Sequence, residues 1–276
     1  MPSGDGHTLP RHAKQKSGQS PDGRALVPRV QGEPQTVSGP FTAEVHLADG
    51  TKKELKQGEF APGADGRLTP VRASSVRKGQ RNMPGLWFSS VMRAHVSYES
   101  LLERNRMLML DFDPTTRSYL EQPLRLSYRA YGRTRFHTPD LLVWRTDGSL
   151  MLCNVKSKSR LERGSFPLQS EACARFCEIE RIDYAVLSEP DGQVLQNLRW
   201  LSGYWGIEFE NSSAYWLMRE RLEKGTATIA DLLEEAGGHE ALTRPVLFAA
   251  LWSQEFEMDL GKAMESDSKV WVSNAN

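Results

Sequence analysis

The stretch His137-Thr138-Pro139-Asp140-Leu141-Leu142-Val143-Trp144-Arg145-Thr146-Asp147-Gly148-Ser149-Leu150-Met151-Leu152-Cys153-Asn154-Val155-Lys156 decides how the chain is read. Two apolar runs flank an Asp147-Gly148 pair, a strong local signal for a tight hairpin. Phe136 to Trp144 reads as one strand and Leu150 to Val155 as the next. Antiparallel pairing across the turn then brings Asp140 close to Val155 and Lys156.

Working outward, Tyr119 to Arg129 reads as a further strand, turned by Tyr131-Gly132-Arg133. A helix precedes it, with Ser97 as N-cap and an apolar stripe of Leu101, Leu102, Leu108 and Met109, stopped by Asp113-Pro114. Downstream, residues 168–181 are helical and Tyr184 to Leu187 is a short buried strand. Helix, three strands, helix, strand imply an α/β core around one mixed sheet. Beyond residue 206 the pattern changes. Ser212 to Glu223, Thr228 to Glu235 (stopped by Gly237-Gly238) and Thr243 to Trp252, with Pro245 near its first turn, read as helices. Phe256 to Leu260 and Lys269 to Val272 read as a two-stranded ribbon. That succession fits a winged helix-turn-helix module over residues 206–276. At the other end, Gly, Pro, Ser and Gln supply 20 of the first 40 residues and no aromatic is present, so residues 1–40 read as a disordered leader. Residues 41–80 read as a basic extension with short strands: Phe41 to Leu47 alternates before the turn Ala48-Asp49-Gly50, and Arg67 to Gln80 is basic and poorly periodic, either a solvated surface segment or an arm lying on phosphates.

The 276 residues carry 39% hydrophobic and 25% charged side chains, ordinary for a globular protein. No stretch approaches 18 consecutive apolar residues, which excludes a membrane-spanning helix. The first 30 residues lack an apolar signal core, and three cysteines make no disulfide framework, so a cytoplasmic protein is expected. Cys173 and Cys177 share a helix face and read as core packing, since zinc would need two further ligands. Net charge is zero, but residues 1–164 hold 26 Lys and Arg against 16 Asp and Glu, and residues 165–276 hold 9 against 19. Such asymmetry points to two surfaces with different partners.

Phosphodiester hydrolysis is the chemistry that best explains Asp140, Val155 and Lys156 together. It needs a hard cation, and Mg²⁺ takes oxygen ligands: one or two carboxylates, waters and phosphate. Asp140 and Glu99, on the helix packed against the same sheet, are the candidate carboxylates. The Val155 carbonyl adds a neutral oxygen, and Asn154 is a further neutral oxygen ligand. Lys156 positions the water and stabilises developing charge. Arg129, Arg133, Arg135 and Lys158 are candidate DNA contacts.

Pro139-Asp140 followed by Asn154-Val155-Lys156 resembles the PD-(D/E)xK nuclease pattern, with Asn at the third position. The flanking text is more specific. Arg81-Asn82-Met83-Pro84-Gly85-Leu86-Trp87, His95-Val96-Ser97-Tyr98-Glu99-Ser100-Leu101-Leu102-Glu103-Arg104, Leu110-Asp111-Phe112-Asp113-Pro114, Glu121-Gln122-Pro123, His137-Thr138-Pro139-Asp140 and Asn197-Leu198-Arg199-Trp200-Leu201 follow in order. The set resembles TnsA, the endonuclease subunit of heteromeric cut-and-paste transposases, over residues 81–205. The resemblance implies a restriction-endonuclease-like fold and an Mg²⁺-dependent endodeoxyribonuclease, with Mn²⁺ a substitute. It implies cleavage at the 5′ ends of a transposon beside a DDE transposase, with Glu99, Asp140 and Lys156 in the catalytic positions. It also implies that the C-terminal region contacts an AAA+ regulator ATPase. The 6 basic and 13 acidic residues of 206–276 agree with a protein partner rather than DNA. The place of action would then be nucleoid DNA. Two alternatives stand beside this: a catalytically weak or inactive nuclease-fold adaptor, suggested by Asn154, and a stand-alone defence nuclease.

Overall fold

Leu141, Leu142, Val143 and Trp144 are all buried, which requires a sheet covered on both faces. A computed structural model describes residues 24–26, 37–60, 67–72, 83–237 and 239–273 and supplies that cover. In chain order the elements are β1 (Arg24–Leu26), β2 (Val37–Leu47), β3 (Lys52–Lys56), β4 (Leu68–Thr69), β5 (Gly85–Ser89), β6 (Ala94–Tyr98), α1 (Leu101–Phe112), β7 (Thr116–Glu121), β8 (Arg125–Ala130), β9 (Arg133–His137), β10 (Leu141–Arg145), β11 (Leu150–Val155), α2 (Phe166–Glu180), β12 (Asp183–Leu187) and α3 (Gly192–Leu201). Then come α4 (Ser213–Glu223), β13 (Ala227–Thr228), α5 (Ile229–Glu235), α6 (Glu240–Trp252), β14 (Phe256–Met258) and β15 (Lys269–Val272).

The central sheet runs β1-β12-β11-β10-β7; β11 and β12 are parallel and the other pairs antiparallel. Alternation along each strand sorts side chains to two faces. Leu141, Val143, Met151, Cys153, Val155, Ala185 and Leu187 pack with Met107 and Leu110 of α1 and Val96 of β6. Leu142, Trp144, Leu152, Tyr184 and Val186 pack with Phe166, Cys173 and Phe176 of α2 and with Phe41, Ala43 and Leu126 of a second sheet, β3-β2-β8-β9. Each fully buried Leu, Val, Phe or Met among them contributes about 1.5–3 kcal/mol over exposure. A third core joins α3, α4, α5, α6 and the sheet β13-β15-β14, and Leu108 of α1 packs into it. Asn197 Nδ2 ties α3 to this end by donating to the carbonyls of Leu260 (2.8 Å) and Lys262 (2.7 Å).

Several sequence expectations change. The helix begins at Leu101, capped by Ser100, while Ser97 lies in β6. Ser100 Oγ accepts from the Glu103 N–H at 3.2 Å, and the Glu103 carboxylate accepts the Glu99 N–H at 2.9 Å. This Ser-x-x-Glu arrangement is the stronger start signal. Tyr119 to Arg129 is two strands, β7 and β8, in different sheets, because the Gln122-Pro123-Leu124 corner breaks the ladder and Gln122 takes φ +46°. Phe136 to Trp144 is likewise β9 and β10, split around Pro139, so the core holds two sheets rather than one. Arg24–Leu26 and Val37–Pro40, read as part of the disordered leader, are strand, paired with β12 and β8; residues 1–23 and 27–36 lie outside the described residues. So do 73–80 of the basic arm, and Arg81 and Asn82. The helix α6 starts at Glu240 and carries Pro245 inside it, and the terminal ribbon gains a third strand, β13. Among the described residues, no helix is long and apolar enough to cross a membrane.

Candidate active site

The split at Pro139 sets the site geometry. Leaving the second sheet after His137, the chain enters the central sheet at Leu141, so Asp140 sits at the crossover. Register pairs Leu141 with Cys153. One step further, the Asp140 N–H donates to the Cys153 carbonyl at 3.0 Å and the Val155 N–H donates to Asp140 Oδ2 at 2.6 Å. The carboxylate is therefore fixed against the end of β11.

Asp140 and Val155 line a cleft of about 720 Å³ with Arg72, Glu99, Glu103, Arg125, Phe136, His137, Lys156, Arg160 and Gln169. Of the sequence-predicted catalytic and ligand residues, Glu99, Asp140, Val155 and Lys156 are thus brought together. Asn154 is not. It is buried, its Oδ1 lies 2.8 Å from His137 Nε2, and its Nδ2 donates to the Tyr184 hydroxyl at 2.7 Å. An amide oxygen only accepts, so the His137 ring donates from Nε2. The Tyr184 hydroxyl in turn donates to Ser170 Oγ at 3.1 Å. The Asn154 amide oxygen is thus engaged in an internal network and not directed at a ligand in the cleft.

The cleft electrostatics are uneven. Part of Asp140 is open to the cleft, but protein atoms surround its carboxyl, and that desolvation pushes its pKa up to about 7. The Glu103 charge adds to the rise, the Val155 N–H and Lys156 oppose it, and Glu99 adds a smaller increment. Burial also raises Glu103. His137 is pushed down, mainly by burial. Lys156 holds its ammonium 5.3 Å from the Phe166 ring centroid, and the Arg125 guanidinium lies 4.2 Å over the Phe136 ring.

The proposed DNA contacts lie outside the cleft lining. Arg129, Arg133 and Arg135 are exposed on the β8–β9 hairpin, and Lys158 is exposed on the short 3₁₀ turn Lys158–Arg160. The cationic cleft residues are instead Arg72, Arg125, Lys156 and Arg160. Sequence reasoning missed Arg72, Glu103, Arg125 and Arg160. The Ser100-x-x-Glu103 spacing could have marked Glu103; Arg72 reaches the cleft only through long-range packing. The three cysteines are buried, and burial pushes Cys173 up to about 12.

Among the described residues, no group of three or more His, Cys, Asp or Glu side chains forms a metal-ligand set. The smaller set of two carboxylates and a carbonyl contains only oxygen donors, and Asp140 within it is raised by desolvation first and by the neighbouring Glu103 charge second. Both properties fit a hard divalent cation completed by water.

No curated protein matches the chain. Residues 113–189 match the family model described as TnsA-like endonuclease N terminal. The match spans β7 to β12 and takes in Asp140, Asn154, Val155 and Lys156, while Arg72, Glu99 and Glu103 precede it. The segment that carries the Asp140–Val155–Lys156 corner is therefore similar to the TnsA-like endonuclease N-terminal domain, which supports a TnsA-like endonuclease identity.

Proposed function

We propose that the protein is a divalent-metal-dependent DNA endonuclease that cuts the 5′ ends of a transposon, working beside a DDE transposase. The observation that carries this reading is the Asp140 carboxylate fixed by the Val155 N–H in a cleft shared with Glu99 and Lys156, inside a TnsA-like segment. Glu99, Asp140 and the Val155 carbonyl would hold Mg²⁺, or Mn²⁺ in its place. When bound, such a cation neutralises phosphate charge and makes water acidic enough to attack. Lys156 orients the scissile phosphate and meets the charge that develops on it. Arg125 and Arg160 hold flanking phosphates at the cleft, and the outer arginines 129, 133 and 135 with Lys158 extend the track.

The order α4-β13-α5-α6-β14-β15 supports a winged helix-turn-helix reading of the C-terminal module. Its acidic balance suits a basic protein partner, read here as the AAA+ regulator ATPase. Strand cleavage of transposon-end DNA with the transposase and Mg²⁺ tests the whole. Asp140→Ala should lower cleavage by about a thousandfold or more; cleavage at the wild-type rate would refute the site.

One observation favours a second reading, a nuclease-fold adaptor without catalysis: the Asn154 amide is committed to His137 and Tyr184. Calorimetric titration with Mn²⁺ separates the two. Binding that disappears in Asp140→Ala counts for the enzyme, and no binding to the wild type counts for the adaptor.

A further inference from the structure

Arg72 belongs to the basic arm, yet its guanidinium is folded into the cleft. Nη2 donates to Glu99 Oε2 at 2.9 Å and Nε donates to Gln122 Oε1 at 3.0 Å. The arm is anchored at the same point: the Val71 N–H donates to the Gln122 carbonyl at 2.9 Å, and the Gln122 N–H donates to the Asp140 carbonyl at 2.9 Å. One corner residue therefore ties the arm to the backbone of Asp140 and aims Arg72 at Glu99. Arg72 is also close enough to lower the pKa of both His137 and Glu103, so its charge is felt across the cleft.

This placement creates a competition. Glu99 cannot give the same oxygen fully to a guanidinium and to a cation. Arg72 is 54% exposed and Glu99 26% in this pair, and half-exposed ion pairs are weak and easily exchanged. The guanidinium is a planar fork suited to phosphate oxygens, and it already lines the cleft beside Lys156 and Arg160.

We propose that Arg72 is a phosphate-binding residue of the cleft, parked on Glu99 until a divalent cation takes that carboxylate and a phosphodiester arrives to receive the guanidinium. The proposal rests on the metal-nuclease reading and assigns the arm a place in it. It gives Arg72 two effects of opposite sign: it weakens metal binding and strengthens DNA binding once metal is present.

The test uses the full chain. Mn²⁺ is titrated calorimetrically into wild type, Arg72→Gln, Arg72→Lys and Asp140→Asn. Binding of a duplex oligonucleotide is then followed with and without Ca²⁺ across a salt series. Arg72→Gln should bind Mn²⁺ about two- to fivefold tighter, the worth of an exposed ion pair. Its Ca²⁺-dependent gain in DNA affinity should shrink, and its salt slope should fall by about one. Arg72→Lys, which keeps the charge, should stay near wild type in Mn²⁺ affinity. If Arg72 only fastened the arm, Arg72→Gln would lower the melting temperature and leave Mn²⁺ affinity unchanged, and that result overturns the proposal. An unchanged Ca²⁺-dependent gain overturns it too. If Asp140→Asn also bound Mn²⁺ like wild type, the metal-nuclease reading itself would fail, so the two failures are distinguishable.

Discussion

Asp140 in the cleft and Asp231 in the C-terminal module are the same residue type under opposite treatment. Asp140 is desolvated and faces Glu103 and Glu99, and its carboxyl is lifted to about 7. Asp231 is held below the usual carboxylate value by the Thr228 backbone N–H and hydroxyl at the start of α5. Its Oδ2 accepts the Thr228 N–H at 2.9 Å, and its own N–H donates to Thr228 Oγ1 at 3.0 Å. In the same module Arg244–Glu240 and Lys224–Glu220 are exposed ion pairs one helical turn apart. The difference separates two uses of negative charge. In the module it closes helix ends and decorates a surface. In the cleft a desolvated carboxylate sits beside other carboxylates at a cost to folding, the pattern common at functional sites.

The comparison is tested hardest at Asn154, which shares the TnsA-like segment with Asp140 but is fully partnered. Asn154→Ala removes the acceptor for the His137 N–H and the donor to Tyr184, both in the interior. Leaving them unsatisfied should cost about 2–4 kcal/mol in chemical denaturation, with Mn²⁺ affinity of the folded protein little changed. A variant of unaltered stability but weakened metal binding would make Asn154 a ligand and erase its contrast with Asp140.

How much of this was legible beforehand depends on the range of the interactions. The Asp147-Gly148 turn and the bounds of β11 are local, so the proximity of Asp140 and Val155 could be read from hairpin register. The breaks at Pro123 and Pro139 were missed because the β-prone residues on either side run together as single strands. Pro123 and Pro139 mark the breaks locally, but the sheet that each half joins is a tertiary outcome with no local signature. The internal role of Asn154 needs His137, 17 residues away, and Tyr184, 30 away. Arg72 needs Gln122, 50 residues along. Side chains whose partners lie that far off carry no periodicity, and charge alone marked Arg72 only as one basic residue among several.

An effect of comparable size, but confined to higher pH, is expected from Asp140→Asn, now read as stability. In the unfolded chain this carboxyl ionises near 4; in the folded cleft it ionises near 7. The folded state therefore holds the proton more tightly, and its stability falls as pH rises between those values. Asn keeps an acceptor for the Val155 N–H and carries no charge. The substitution should leave stability nearly unchanged near pH 4 and raise it by up to about 4 kcal/mol at pH 8, seen as a higher melting temperature in metal-free buffer. Saturating Mn²⁺ should narrow the gap by stabilising the wild type alone. A variant no more stable than wild type at pH 8 would mean that the cleft does not strain its carboxylate.

The smallest effect lies in the module, and its pH dependence has the reverse sign. Thr228→Ala removes the hydroxyl that caps α5 and should cost about 1 kcal/mol, with no change in Mn²⁺ affinity. Asp231→Ala should destabilise at neutral pH. Because the Asp231 carboxyl is held below its unfolded value, its contribution is present above that value and lost as pH falls through the lowered one. The penalty of Asp231→Ala should therefore fade in acid, where that of keeping Asp140 also fades. Melting curves of the two variants from pH 3 to 8 should open in opposite directions from a common acid limit: Asp140→Asn above wild type, Asp231→Ala below. Parallel curves would remove the distinction between a carboxylate placed for stability and one placed for chemistry.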